Sequence, residues 1–192
     1  MRKCALSVTR AFDSVFAVLW LGFIAYWIIS AFDVKKTRTR ATSWPRWSAL
    51  ILGAVLLLVS RTPFLRTFVF PRSLASDIVA VFLCVAGMSV AIWARRDLGR
   101  NWSATPTIRE NHELITSGPY RFVRHPIYSG ILLALLGTAI ASGNVLWLVA
   151  LALFLGLFAF RMRAEEQLMG SEFPDQYPSY VARTSALIPF IW

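Results

Sequence analysis

The chain has 192 residues, of which 57% are hydrophobic, with a mean hydropathy of +0.57 and a formal charge of +10. A soluble domain is nearer half apolar, so this excess excludes an ordinary water-soluble globule and requires lipid as its sink. The charge does not point to nucleic acid, because the basic residues lie between apolar blocks with no interleaved aromatic-basic face, the pattern of topology-setting loops.

The chain opens Met-Arg-Lys, but the apolar stretch that follows is too long and too tryptophan-rich for a cleaved signal peptide, and reads as a retained anchor. A spanning helix needs about 20 apolar residues, and five candidates follow in order. They cover about 14–32, 47–60 (short unless it extends toward Phe70), 74–94, 127–142 and 145–160. Only Gly143 and Asn144 separate the last two, which predicts a tight antiparallel hairpin. No repeat or low-complexity linker divides the chain, so it reads as one domain, an all-α polytopic membrane bundle of about five helices.

Charge sets the expected orientation. Five spans put the loop after the first helix, the segment 95–124 and the C-terminal tail on one side, with 14 of the 20 basic residues. The positive-inside rule then predicts the N-terminus outside and the C-terminus in the cytosol. Arg2, Lys3 and Arg10 pull mildly the other way. The same parity brings segment 95–124 and the acidic tail (Glu165, Glu166, Glu172, Asp175) to one face, where they can share a pocket.

Chemistry concentrates in residues 114–130, LITSGPYRFVRHPIYSG. Pro126 suits the first turn of a helix, which places His125 at the N-cap and Tyr128 one turn on, at the boundary between water and lipid. Taken alone, such a pair is an interfacial His and an aromatic-belt Tyr. Glu165 and Glu166 follow the fifth apolar stretch, with Arg161 four residues before Glu165 on the same helical face. Alone, that spacing is usually a solvated ion pair. In a site, the carboxylate can hold a ribose diol or face a sulfonium, and the guanidinium an anionic group. The intervening polar segment, with a turn at 116–119, is long enough to fold back as a lid. Cys4 and Cys84 have no CxxC or Cys-His spacing, and with only His112 and His125 besides, no zinc site is expected.

These residues resemble the isoprenylcysteine carboxyl methyltransferase family of integral-membrane, S-adenosylmethionine-dependent enzymes, which groups with the phospholipid methyltransferases. The resemblance covers about 98–192. It comprises LGRNWS, HELITSGPYRFVRHPIYSG, the Gly-Asn hairpin tip, RMRAEEQL, the Phe173, Tyr177, Tyr180 tail and the closing Leu-Ile-Pro-Phe-Ile. It implies a cytosolic-face cofactor pocket in a catalytic half of about 95–192. Cofactor contacts carry over to His112, Glu113, Leu114, Ile115, Tyr120, His125, Pro126, Ile127, Tyr128 and Glu165, with one more near Thr105 or Thr107. Arg161 matches the arginine facing the methyl acceptor.

The resemblance further implies carboxyl O-methylation of an isoprenylcysteine-type lipid acceptor, with Arg161 orienting the carboxylate and His125 and Tyr128 beside it. The alternative is N-methylation of a phospholipid amine, for which His125 would have to act as base. A more distant one is an NADPH-dependent membrane reductase, whose motif reads His-Pro-Asn-Tyr followed by Gly-Glu. Here Ile127 and Ile131 replace those Asn and Glu positions, and the Glu165-Glu166 pair would repel a polyphosphate. No ionisable residue sits mid-span, which disfavours a transporter or scaffold. No nucleic-acid or obligate protein partner is expected. The chain lacks the extra N-terminal spans of larger members, which fits a prokaryotic inner-membrane version.

Overall fold

The computed structural model describes residues 2–40, 67–69, 71–103 and 105–190. Its elements are α1 (Arg2–Ser30), β1 (Thr37–Arg40), α2 (Leu74–Leu98), β2 (Thr107–Arg109), α3 (Pro126–Ser142), α4 (Val145–Glu172) and α5 (Tyr177–Arg183). Among the described residues three stretches, Phe12–Ser30, Leu74–Asn101 and Val145–Glu172, are long and apolar enough to cross a membrane, and Pro126–Ser142 is a shorter apolar helix. The expected span at 47–60 lies outside the described residues.

The ends of these helices follow from their sequence. Ser73 caps α2 by accepting from the Ser76 N–H while Ser76 Oγ accepts from the Ser73 N–H, a reciprocal capping box. Pro126 starts α3 at the position where a missing N–H costs nothing. Gly143 ends it in the left-handed region (φ 64°), and Asn144 caps α4 by accepting from the Trp147 N–H at 3.3 Å. The two-residue connection is thus a tight hairpin, and residues 67–69 clasp its tip through Val69 N–H to Gly143 O (2.7 Å) and Val145 N–H to Thr67 O (3.2 Å).

Helices α2 and α3 form the densest contact. A Cβ built on Gly87 would stand 2.4 Å from Gly130 O, and one on Gly130 would stand 2.5 Å from Gly87 O. The two backbones therefore touch where both residues lack a side chain, the small-residue packing that joins helices in lipid without a hydrophobic driving force. Around this seam Ala80, Cys84, Met88, Ala91 and Ala134 are buried, with Phe16 and Phe23 of α1 in the same cluster. At the far end of α1, Arg72 joins Asp13 to the buried Asp77 and ties α1 to the start of α2.

Two expectations need correction. The fifth helix does not stop near Phe160 but continues to Glu172, so Arg161, Glu165 and Glu166 lie on a rigid helix and not in a tail. The segment between α2 and α3 is not an unstructured lid. It holds a 3-10 turn at Gly99–Asn101, strand β2 paired antiparallel with β1, and a second 3-10 turn at Gly118–Arg121. A strand pair satisfies backbone groups that an irregular segment would leave to water.

Candidate active site

A cavity of about 490 Å³ opens where α3, α4 and the polar segments converge. Its polar wall begins at His125, buried at the N-cap of α3. The chain before it is held by the C-terminal segment, with Arg124 N–H donating to Ser185 O (2.8 Å) and His125 N–H to Ala186 O (3.1 Å). Ser129 Oγ adds a bond to Leu187 O at 2.6 Å, and Tyr180 Oη donates to Tyr120 O at 2.8 Å. His125, Ile127 and Tyr128 of the His-Pro-x-Tyr segment and Tyr177 and Tyr180 of the C-terminal segment line the same cavity.

Three turns of α4 face this strap. Glu165 Oε1 accepts from Tyr128 Oη at 2.6 Å and from Arg161 Nε at 2.8 Å. Glu166 Oε1 accepts from Arg124 Nε at 2.8 Å and lies 3.1 Å from His125 Nε2, while His125 Nδ1 stands 3.6 Å from Glu165 Oε2. Each imidazole nitrogen thus faces a carboxylate, an arrangement that suits the doubly protonated ring. Burial alone would lower the His125 pKa, but the hydrogen bonds and charges of Glu165 and Glu166 outweigh it and hold it above its ordinary value. Tyr128 is stacked between rings, with its centroid 5.5 Å from His125 and 4.4 Å from Phe158. Tyr120 stays a phenol, its pKa raised by burial first and by the Glu165 charge second.

The raised His125 pKa has a consequence for stability. The folded state binds the proton more tightly than the unfolded chain, whose imidazole titrates near 6.5. The stabilisation is present in full below that value and is lost as pH rises through the folded pKa. Arg124 also adjoins Glu166, and Tyr128 stacks on the His125 ring. The ligand-free protein should melt at progressively lower temperature as pH rises above the ordinary imidazole value of 6.5. His125→Gln should flatten that slope in a thermal-shift series; an unchanged slope would remove His125 as its source.

Of the residues singled out in the sequence, His112, Glu113, Leu114, Ile115, Tyr120, His125, Ile127, Tyr128, Arg161 and Glu165 all line the cavity, and so do both Thr105 and Thr107. Pro126 does not; it is buried and sets the start of α3. Residues the sequence did not flag are also in the wall. Trp27 and Ile28 come from α1 and Ala31 follows it, Asn101 ends the first 3-10 turn and Trp102 follows it, and Leu168 and Met169 come from α4. The cavity is thus polar along the strap and α4 and apolar along α1.

Residues 75–176 match the family described as phospholipid methyltransferase. The chain belongs to the phospholipid methyltransferase and isoprenylcysteine carboxyl methyltransferase family of integral-membrane methyltransferases. Residues 3–111 also match a family described as DUF1420 N-terminal domain. Among relatives, the protein-S-isoprenylcysteine O-methyltransferase of Schizosaccharomyces pombe is 30% identical over 76% of this chain and 67% of its own length. The cobalt-zinc-cadmium resistance protein CzcN of Cupriavidus metallidurans is 32% identical over 83% of this chain and 68% of its own. Protein-S-isoprenylcysteine O-methyltransferase B of Arabidopsis thaliana is 35% identical over 48% and 49%. The chain thus spans from about half to two thirds of the length of these relatives. The fold is shared with the eukaryotic intramembrane Ras methyltransferase, isoprenylcysteine carboxyl methyltransferase, at a TM-score of 0.58 and 24% identity over 78% of this chain and 55% of that one.

Proposed function

We propose that this family member is an S-adenosylmethionine-dependent methyltransferase that O-methylates the carboxylate of an isoprenylcysteine-type lipid at the membrane interface. The observation that carries the reading is one cavity lined both by Glu165 and Arg161, bonded to each other, and by apolar residues of α1. The donor set suits a cationic, nucleoside-bearing methyl donor: carboxylates for the cation and for ribose hydroxyls, and stacked aromatic rings beside them. A polyphosphate dinucleotide would meet the same carboxylates as like charges.

His112, Glu113, Leu114, Ile115, Tyr120, His125, Ile127, Tyr128 and Glu165 are the residues assigned to hold that donor. When bound, it supplies a methyl group on a sulfonium: the C–O bond to the acceptor forms as the C–S bond breaks, and both electrons of that bond go to sulfur. The protein's part is alignment and exclusion of water. The Arg161 guanidinium orients an acceptor carboxylate, which is already ionised at neutral pH and needs no base. An amine acceptor would need one, and His125 is poorly placed for that work because its ring nitrogens face Glu165 and Glu166 and its pKa is raised. Arg161 in the wall also repels an ammonium. This favours the carboxylate over the phospholipid amine.

The cavity is assigned to the cytosolic face, on the distribution of basic residues between the two sides. The deciding experiment is calorimetry of S-adenosylhomocysteine against the detergent-purified protein, with NADPH in parallel. Micromolar binding of S-adenosylhomocysteine alone is expected. Binding of NADPH alone would move the chain to the reductases, and binding of neither would refute both readings.

A further inference from the structure

Arg95, near the end of α2, is 4% exposed, yet among the described residues no carboxylate pairs with its charge. A buried cation left uncompensated is strongly destabilising. Here two helix ends supply what a carboxylate would. Arg95 Nη1 donates to Gly99 O at 2.7 Å, just past α2, and Nη2 donates to the carbonyl of Ser30, the last residue of α1. The terminal carbonyls of a helix have no partner within it and carry the negative end of its dipole, so they suit a guanidinium. The Trp102 ring covers the group, its centre 4.6 Å from the guanidinium carbon. Trp102 in turn meets the Trp27 ring of α1 edge to face, 5.8 Å between centroids. Both tryptophans line the cavity. The next carbonyl, Ser103 O, accepts from Arg161 Nη2 at 3.2 Å.

The placing of α1 depends on such ties. Much of the helix is exposed, with Leu21 at 68% and Ile29 at 71%, and a Cβ added at Gly22 would meet nothing within 4 Å, unlike the glycine seam of α2 and α3. Helices in lipid gain no hydrophobic drive from packing together. Other polar ties hold α1 at its middle, Trp20 Nε1 to Thr138 Oγ1 (3.0 Å), and toward its start, Arg72 to Asp13 (2.9 Å). Beyond its end the Lys35 N–H donates to Arg100 O at 2.9 Å. Arg95 grips the helix at the end that carries Trp27 and Ile28 into the cavity lining. We propose that Arg95 is a positioning residue for the methyl acceptor: by clamping the end of α1 to the end of α2 it sets Trp27 against Trp102 and fixes the apolar wall of the cavity. The inference rests on the methyltransferase reading. Arg95 does not line the cavity, so it acts through the two tryptophans. The donor side is held separately, with Tyr128 on Glu165, His125 on Glu166 and the backbone of 124–125 on the C-terminal segment. The clamp therefore bears on acceptor binding and not on the donor.

The test uses the full chain in detergent, with N-acetyl-S-farnesylcysteine as the acceptor probe and S-adenosylhomocysteine as the donor-site probe. Arg95→Met keeps an unbranched side chain and removes the charge. It should raise KM for the acceptor by about tenfold, while kcat and the calorimetric affinity for S-adenosylhomocysteine stay within about threefold of the wild type. A clamp that served stability alone would lower the melting temperature and leave KM unchanged, and that result would overturn the proposal. Arg95→Lys should recover only part of the KM, because an ammonium is a point donor that cannot span both carbonyls. Trp102→Leu closes a double-mutant cycle. With Arg95 acting through Trp102, the double variant should raise KM no further than the worse single variant; effects that multiply would overturn that coupling. Should Arg95→Met fail to fold, Arg95→Lys decides on the same KM, and a wild-type value would overturn the proposal. Failure of the wild type on the farnesyl acid, with methylation of phosphatidylethanolamine instead, would overturn the carboxylate reading alone. The KM comparison with that lipid then decides the clamp: a rise of about tenfold upholds it and no rise overturns it.

Discussion

Glu165→Gln should weaken S-adenosylhomocysteine binding by about 100-fold or more and lower thermal stability at the same time. One oxygen of this carboxylate takes both the Tyr128 hydroxyl (2.6 Å) and Arg161 Nε (2.8 Å), and the other faces His125 at 3.6 Å. Glutamine keeps the shape and removes the charge, so Arg161 and His125 would confront each other with only Glu166 left to compensate. Breaking a buried ion pair by deleting one partner costs about 3–5 kcal/mol, on the order of 10²–10⁴ in an equilibrium constant. The carboxylate's partner in the ligand is separable. Neutral S-adenosylhomocysteine and its amine-bearing cationic analogue sinefungin should lose affinity equally if Glu165 holds ribose hydroxyls, and the cation should lose more if it faces the sulfonium. Affinity for both within threefold of the wild type would remove Glu165 from the donor site.

Much of this arrangement is legible in the chain itself, because its signals are local. The Gly143-Asn144 connection, Pro126 at a helix start, and Arg161 four residues before Glu165 each depend on neighbours within a turn or two. What escapes the sequence depends on distance along it. Glu166 meets Arg124 across 42 positions, a pairing that no local spacing signals. From Val15 to Ile29 helix α1 is apolar on every side, so hydrophobicity cannot separate Trp27, which lines the cavity, from Ile29, which is 71% exposed. The extension of α4 past Phe160 is hidden for a different reason. Its apolar run ends at Phe160, while the helix itself continues on good helix formers such as Met162, Ala164 and Glu165.

On the proposed assignment, Arg161 separates a carboxylate acceptor from an amine. Its guanidinium is held by Glu165 through Nε and by Ser103 O through Nη2, and its carbon lies 5.6 Å from the centre of the Tyr128 ring. A planar fork with five donors can keep these anchors and still engage a carboxylate. Arg161→Ala should therefore raise KM for a lipid carboxylate by about tenfold or more, since hydrogen bonds to charged groups are worth about 1.5–3 kcal/mol. Arg161→Lys should recover only part of the loss, because an ammonium is a point charge that cannot span both anchors. Affinity for S-adenosylhomocysteine should move far less than KM, which separates acceptor binding from collapse of the Glu165 cluster. The sign of the effect is informative for the competing substrate. If the acceptor were a phospholipid amine, deleting the guanidinium would remove a like charge, and amine methylation would hold steady or rise. An unchanged KM for the carboxylate would remove Arg161 from the acceptor site.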